Sequence, residues 1–183
     1  MVELPMIRIP EDRIGALIGP GGETKEEIEE RSGVRLDIDS GTGEVLVDDE
    51  NCYDPILALQ VQDVVKAIGR GFSPEKAFRL WQMDAFFDML DLREYVGDKR
   101  NQIQRVKGRI IGEGGRTREH IEAMTDVHLT VYGTTVAFIG EPMETRVARE
   151  AVVRLIEGAE HSAVYKFLED KRRELRMKDL GLE

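Results

Sequence analysis

Two glycine tetrapeptides are the residues of this chain best suited to chemistry: Gly19-Pro20-Gly21-Gly22 and Gly112-Glu113-Gly114-Gly115. Glycine allows backbone angles and close approach that a side chain forbids. Each tetrapeptide follows an isoleucine, Ile18 or Ile111, and precedes a helix-forming run. The first N–H groups of the new helix then face whatever lies at the loop. A phosphate backbone fits that arrangement, and neighbouring apolar residues offer a shallow groove for extended bases. Neither loop carries the Gly-Lys-Ser/Thr ending of a nucleotide-binding P-loop. Neither follows a strand directly, as a dinucleotide-binding loop does.

The charge around the two loops differs. Residues 99–118 hold Lys99, Arg100, Arg105, Lys107, Arg109, Arg116 and Arg118 against Glu113 alone. Lys107, Arg109, Arg116 and Arg118 are expected to dominate a polyanion site at the second loop. The matching positions at the first loop are Ile14, Ala16, Glu23 and Lys25, so only Lys25 is basic. A further basic run lies in the tail, where Lys171, Arg172 and Arg173 are followed by Arg176 and Lys178. These residues could meet phosphate, or simply suit the negative end of their helix.

Other chemistries find little support. Asp37 and Asp39 share one face of an alternating run and read as surface residues. Asp48-Asp49-Glu50 precedes a helix, where acidic residues are favourable. His120, His128 and His161 show no metal-ligand spacing. His120 is expected to be exposed near the groove, and His161 to cap or orient the tail helix. Cys52 is the single cysteine, which excludes an internal disulfide and a thiol-based zinc site. No catalytic residue, metal or cofactor is expected.

The chain that positions these residues has 183 residues, a mass of 20.7 kDa and a formal net charge of -10. Residues 1–97 contribute -11 and residues 98–183 contribute +1. An acidic total therefore leaves room for a local anion site. No apolar run approaches the roughly 18 residues that span a bilayer. The start, MVELPMIRIPEDR, lacks the basic and apolar regions of a signal peptide, so a cytoplasmic protein is expected.

An internal repeat sets the organisation. IGALIGPGGETKEEIEERSGVRLDI aligns without gaps on KGRIIGEGGRTREHIEAMTDVHLTV, 93 positions later. Gly15 meets Gly108, Thr24 meets Thr117, Ile28 meets Ile121 and Leu36 meets Leu129. Each copy reads β-α-α-β-β-α. In the first, Met6–Ile9 is a strand and Pro55–Ile68 a helix burying Ile56, Leu59, Val61, Val64, Val65 and Ile68 against the sheet. In the second, Leu92–Val96 is the opening strand and Asp98–Ile111 a long helix. Ser73-Pro74-Glu75 reads as a helix start, and Ala77, Leu80, Trp81, Ala85, Phe86 and Leu90 extend that helix between the copies.

On these residues the chain resembles the KH family, whose module clamps four backbone nucleotides at a GXXG loop. Gly19–Gly22 and Gly112–Gly115 match that loop, and Ile28 and Ile121 match the inward residue of the following helix. The resemblance implies an α+β fold of tandem type I KH-like modules, each a three-stranded antiparallel sheet packed against helices. Residues 1–70 form the first KH domain, 71–90 a connecting helix packed against the modules, 91–158 the second KH domain and 159–183 a C-terminal basic helix. GFSPEKA at 71–77, DLREYVG at 91–97 and GAEHSAVY at 158–165 are similar to the archaeal two-KH group that acts in ribosomal RNA processing. That similarity implies a non-catalytic RNA-binding factor in small-subunit maturation. It would bind single-stranded ribosomal RNA near the 3′ end, with the second module as main binder. It also implies a partner, either the 3′-end processing endonuclease or the alpha subunit of translation initiation factor two, and neither DNA nor a membrane. Family loops are often basic at their variable positions, whereas these hold Pro20 and Gly21, or Glu113 and Gly114. The alternative is a protein-interaction scaffold in ribosome assembly whose GxxG loops are mainly structural, and a titration with single-stranded RNA separates the two.

Overall fold

The computed structural model describes residues 6–182; the first five residues, which open the stretch read for a leader, lie outside it. The chain divides into two units, Met1–Met83 and Asp84–Glu183. Among the described residues no helix is long and apolar enough to cross a membrane.

The first unit runs β1 (Ile7–Arg8), α1 (Glu11–Ile18), α2 (Glu23–Ser32), β2 (Arg35–Ile38), β3 (Glu44–Asp48), α3 (Pro55–Gly69) and α4 (Pro74–Ala77), closed by a 3-10 turn over Phe78–Trp81. Its sheet is antiparallel in the order β1-β3-β2, with Ile7 opposite Val45 and Leu36 opposite Val47. Strand alternation turns Leu36, Val45 and Val47 inward, and helical spacing brings Leu17, Ile28, Val61, Val64, Val65 and Ile68 into the same core. The Asp54 carboxylate accepts the Ile56 N–H at 2.9 Å and Pro55 takes the first helical position, so α3 starts there.

The second unit repeats the plan as β4 (Phe86–Asp91), α5 (Arg93–Val96), α6 (Arg100–Ile111), α7 (Arg116–Thr125), β5 (His128–Tyr132), β6 (Thr135–Gly140), α8 (Pro142–Ile156) and α9 (His161–Asp179). The sheet order is β4-β6-β5, again antiparallel. Ile110, Ile121, Phe138, Val152, Leu155, Val164 and Leu168 share one buried cluster. The expected α+β architecture, two modules each with a three-stranded antiparallel sheet against helices, is the observed one.

Four expectations are corrected. The segment 71–90 is not one connecting helix. Its helical part stops at Trp81 within the first unit, Gln82 turns to an extended conformation, and Phe86–Asp91 is the first strand of the second sheet. The helical spacing of its apolar residues was overridden by six consecutive pairings with β6, from Phe86 opposite Gly140 to Asp91 opposite Thr135. Residues 93–96 are accordingly a helical turn, begun where Asp91 accepts the Arg93 N–H at 2.9 Å. On α3, Ile56 and Leu59 are exposed instead of facing the sheet. The tail is part of the second unit, because Val164 and Leu168 enter its core.

The repeat extends beyond the glycine loops. Gly71, with φ of 99°, and Gly158, with φ of 98°, follow α3 and α8 at the same distance, and α4 and α9 start three residues later in each case. The helix ends are clamped alike. Arg13 on α1 donates through its guanidinium to the carbonyls of Ile68 and Phe72, both at 2.8 Å. Arg109 on α6 donates to the carbonyls of Leu155 at 2.9 Å and of Ala159. Leu155 and Ala159 stand 87 positions after Ile68 and Phe72, the spacing of the two glycines. The arginine has moved one helical turn along its own helix, yet reaches the same two acceptors. A helix leaves its last carbonyls without intrahelical partners, and a cation there also meets the negative end of the dipole.

Replacing Arg109 with Met removes two charge-assisted hydrogen bonds from half-buried carbonyls. The expected loss is about 2 kcal/mol of stability in urea denaturation, against less than about 0.5 kcal/mol for Lys107→Met on the same helix.

Candidate nucleic-acid interface

Both glycine loops adopt one shape. Gly112 has φ 74° and ψ 173°, Gly114 φ 61° and ψ 21°, and Gly115 φ 82° and ψ 7°. Gly19, Gly21 and Gly22 match them closely, at 75° and 172°, 60° and 15°, and 85° and 7°. The first glycine of each loop lies in a region open essentially to glycine alone. A Cβ at Gly19 or Gly112 would also collide with the Thr24 or Thr117 hydroxyl beneath it. Pro20, Gly21, Glu113 and Gly114 are exposed at the loop tips, with open space around both middle glycines. No side chain caps the N-terminus of α2 or α7.

At the second loop the structure brings together Gly112–Gly115, Arg116 and Arg118. Arg116 is exposed, and the Arg118 Nη2 and the Glu119 Oε1 lie 3.8 and 3.9 Å from where a Cβ on Gly115 would stand. The Arg118 Nε is buried without a hydrogen-bond partner. Lys107 lies one turn before Ile111 on the same side of α6, and both are half-exposed. Arg109 does not belong to this cluster, because its guanidinium is committed to Leu155 and Ala159. Three of the four expected cations therefore remain.

The edge strand forms the other wall. Glu122 on α7 accepts the Leu129 N–H at 2.9 Å, so the outer edge of β5 faces the helix that follows the loop. Alternation along an antiparallel strand then turns the Leu129 carbonyl and the Val131 N–H to that edge. In the first module Glu29 accepts the Leu36 N–H at 2.7 Å in the same way. There the charge is opposite. Glu23, Glu26, Glu27 and Glu30 are exposed on α2, and Lys25 sits 3.9 Å from Glu29.

The tail cations stand apart. Lys171 pairs with Glu174 at 2.8 Å, which holds its pKa above the ordinary lysine value. Arg172 donates to the Met124 sulfur at 3.5 Å, and Arg173 is exposed. Met124 follows Gly115 by nine residues, roughly 14 Å along α7 at 1.5 Å per residue. The tail therefore flanks the far end of α7.

The remaining candidates are accounted for locally. The Asp39 carboxylate accepts the N–H groups of Gly41 at 2.8 Å and Thr42 at 3.2 Å; these bonds lower its pKa and close the β2–β3 turn. The Cys52 thiol donates to the Asp54 carbonyl at 3.1 Å. His120 is half-buried, with its ring 4.3 Å from that of Tyr165, so the expectation of exposure is corrected. His161 donates from Nε2 to the Arg109 carbonyl at 2.9 Å and so orients the start of α9.

Sequence reasoning passed over Gly15 and Gly108 as site residues. Each is an exposed glycine inside a helix, with nothing within 4 Å of its absent Cβ. A helix-interior glycine costs about 1 kcal/mol relative to alanine, and here no close contact within the protein requires it. The signal was the match of the two positions in the repeat. A smooth helix face one turn before the loop admits a polymer backbone.

A family model for the eukaryotic type KH-domain (KH-domain type I) matches residues 86–173, and a KH domain model matches residues 6–53. A KH domain-containing protein of Methanocaldococcus jannaschii is 39% identical over 173 residues, 94% of this chain and 76% of that protein. The pre-rRNA-processing protein PNO1 of Candida glabrata is 29% identical over 136 residues, 72% of this chain and 51% of that protein. The chain thus spans about half the length of such eukaryotic relatives. Dim2p of Pyrococcus horikoshii superposes with a TM-score of 0.85 at 43% identity, covering 91% of this chain and 98% of that one. A chain in the crystal structure of an a/eIF2alpha–aDim2p–rRNA complex from the same organism superposes with a TM-score of 0.87 at 42% identity, covering 93% of this chain and 94% of that one.

The two kinds of loop glycine are separable by substitution. Gly114→Ala, in open space and an ordinary left-handed conformation, is expected to cost about 1 kcal/mol. Gly112→Ala adds the Thr117 collision and a glycine-only conformation, and its cost is expected to be at least about twice as large. Thermal or urea denaturation of the two variants checks the order.

Proposed function

The chain belongs to the Dim2p/PNO1 family of two-KH-domain proteins, non-catalytic RNA-binding factors, and from that premise we propose that it acts in maturation of the small ribosomal subunit. It binds single-stranded ribosomal RNA near the 3′ end, chiefly through the second module. Arg116 and Arg118 at Gly112–Gly115, with Lys107 one turn before Ile111, carry the reading. Phosphates pass over the loop and the face left smooth by Gly108. Bases lie between Ile111 and the outer edge of β5, where the Leu129 carbonyl and Val131 N–H offer partners. Glu113 sits at the exposed tip, among more cations than anions.

The rRNA and a/eIF2alpha in the Pyrococcus horikoshii complex support two partners for this chain, ribosomal RNA and the alpha subunit of translation initiation factor two. The 3′-end processing endonuclease is the further partner in this reading, and the protein acts by positioning such partners on the RNA, in the cytoplasm. The tail cations Lys171, Arg172 and Arg173 serve a separate contact beyond α7.

The first module favours a second reading, that of a scaffold. Its loop is flanked by glutamates, and Tyr53, Ile56 and Leu59 are exposed at the start of α3. In this reading Gly19–Gly22 and Lys25 contribute weakly to RNA binding, and the glycines serve the helix break.

Replacing Glu113 and Gly114 together with Asp places two carboxylates at the phosphate approach. Binding to an RNA copying the small-subunit 3′ end is expected to weaken roughly tenfold or more. The matching Pro20 and Gly21 double variant should lose less, with both proteins shown folded by circular dichroism. Equal losses contradict the asymmetry. In the unmodified protein, log affinity should fall with log salt by roughly 0.7 per neutralised phosphate, and a flat series contradicts a backbone clamp.

A further inference from the structure

A chain of contacts joins α9 to the second loop. The Thr117 hydroxyl lies under Gly112, where a Cβ would strike it, and Thr117 is only 3% exposed. That hydroxyl shares a hydrogen bond of 3.1 Å with the Tyr165 hydroxyl on α9. The Tyr165 ring packs on the His120 ring at 4.3 Å, and His161 meets it edge-on at 6.3 Å. From the other side, His161 Nε2 donates to the carbonyl of Arg109, three residues before Gly112. Arg109 in turn holds the carbonyls of Leu155 and Ala159, just before α9 begins. Both shoulders of the loop, the end of α6 and the start of α7, are thus tied to the first turns of one helix.

The first module has the same loop and the same threonine, Thr24, beneath Gly19. The spacing that relates Gly71 to Gly158 and Phe72 to Ala159 places Phe78 at the position of Tyr165, and Pro74 at that of His161. Neither can donate the corresponding side-chain hydrogen bond. The asymmetry between the modules is therefore built into the support of the loops as well as into their charge.

We infer that Tyr165 is a positioning residue for RNA binding: through Thr117, and with His161 at the other shoulder, it holds the second glycine loop in the shape that receives phosphate. The inference rests on the reading of Gly112–Gly115 as the main RNA contact. A loop that must be ordered on binding loses affinity to that ordering, and one already held in shape does not. Tyr165 touches no nucleotide in this account. Its effect passes through one hydroxyl pair.

The test is a double-mutant cycle on the full chain with Tyr165→Phe and Thr117→Val. Tyr165→Phe keeps the ring on His120 and removes only the hydroxyl. The probe is a fluorescein-labelled single-stranded RNA copying the 3′ end of small-subunit ribosomal RNA, read by anisotropy. Each single variant is expected to weaken binding about three- to tenfold. The double variant should be no weaker than the singles, and Thr117→Ser, which keeps a hydroxyl, should restore affinity. Amide resonances of Gly112–Gly115 should move in Tyr165→Phe while those of Gly19–Gly22 stay in place. Tyr165→Phe binding like the parent overturns the inference if the Glu113/Gly114 double Asp variant has lost affinity, and leaves the RNA reading standing. If that Asp variant also binds like the parent, the second loop is not the contact and both readings fall. Additive losses in the cycle, or loss of the folded circular dichroism signal in both single variants, also overturn it, because Tyr165 would then act elsewhere or only as a core residue.

Discussion

Each module depends on a helix that breaks and restarts within four residues. The break requires a backbone conformation at Gly19 and Gly112 that only glycine adopts readily, and a threonine hydroxyl fills the space where a side chain would stand. The rest follows from that constraint. The restarted helix has no side-chain cap; its first N–H groups are taken up by the loop itself, Glu23 donating to the Pro20 carbonyl and Arg116 to the Glu113 carbonyl, which corrects the expectation of free amides there. The loop tip is exposed, and a glutamate six residues into the new helix holds the edge strand beside it, Glu29 to Leu36 and Glu122 to Leu129. A groove with a glycine loop at one side and a strand edge at the other is the result of folding the repeat twice.

What differs between the copies is what surrounds the break. The first loop opens onto a glutamate-rich helix. The second opens onto Arg116 and Arg118, and its threonine is bonded to the tail helix. Arg109 would have been counted with those cations on sequence position alone, yet it performs for α8 what Arg13 performs for α3. A positive charge near a helix end has two available uses, on the helix carbonyls or on a ligand. Only the geometry of the guanidinium distinguishes them.

Much of this was legible in the sequence. The gapless repeat, the glycine spacing and the inward Ile28 and Ile121 carry the fold, and Ser73 caps α4 as its type and position suggest, accepting the Lys76 N–H at 3.3 Å. The first strand of the second module was not legible, because Phe86–Asp91 carries helix-compatible apolar spacing and becomes a strand only through β6. The Arg13–Arg109 equivalence was hidden because the arginine moves one turn between copies, so alignment places Val106 opposite Arg13. The Tyr165 contact was hidden for a different reason. It joins residues 48 apart, and nothing in the local pattern of α9 distinguishes a tyrosine that fills space from one that bonds a loop. Likewise, a left-handed helix end falls on Gly33 in the first copy and on Asp126, at φ 54°, in the second, so glycine alone did not mark the second boundary.

The most direct test of the central claim is to titrate isotopically labelled protein with single-stranded RNA copying the small-subunit 3′ end and follow backbone amides by NMR. The account predicts that the amides of Gly112 to Arg118 and of Val131 move first and furthest, while those of Gly19 to Lys25 shift little at the same RNA concentration. Shifts centred on Gly19–Gly22, with Gly112–Gly115 unmoved, would contradict it and make the first module the reader.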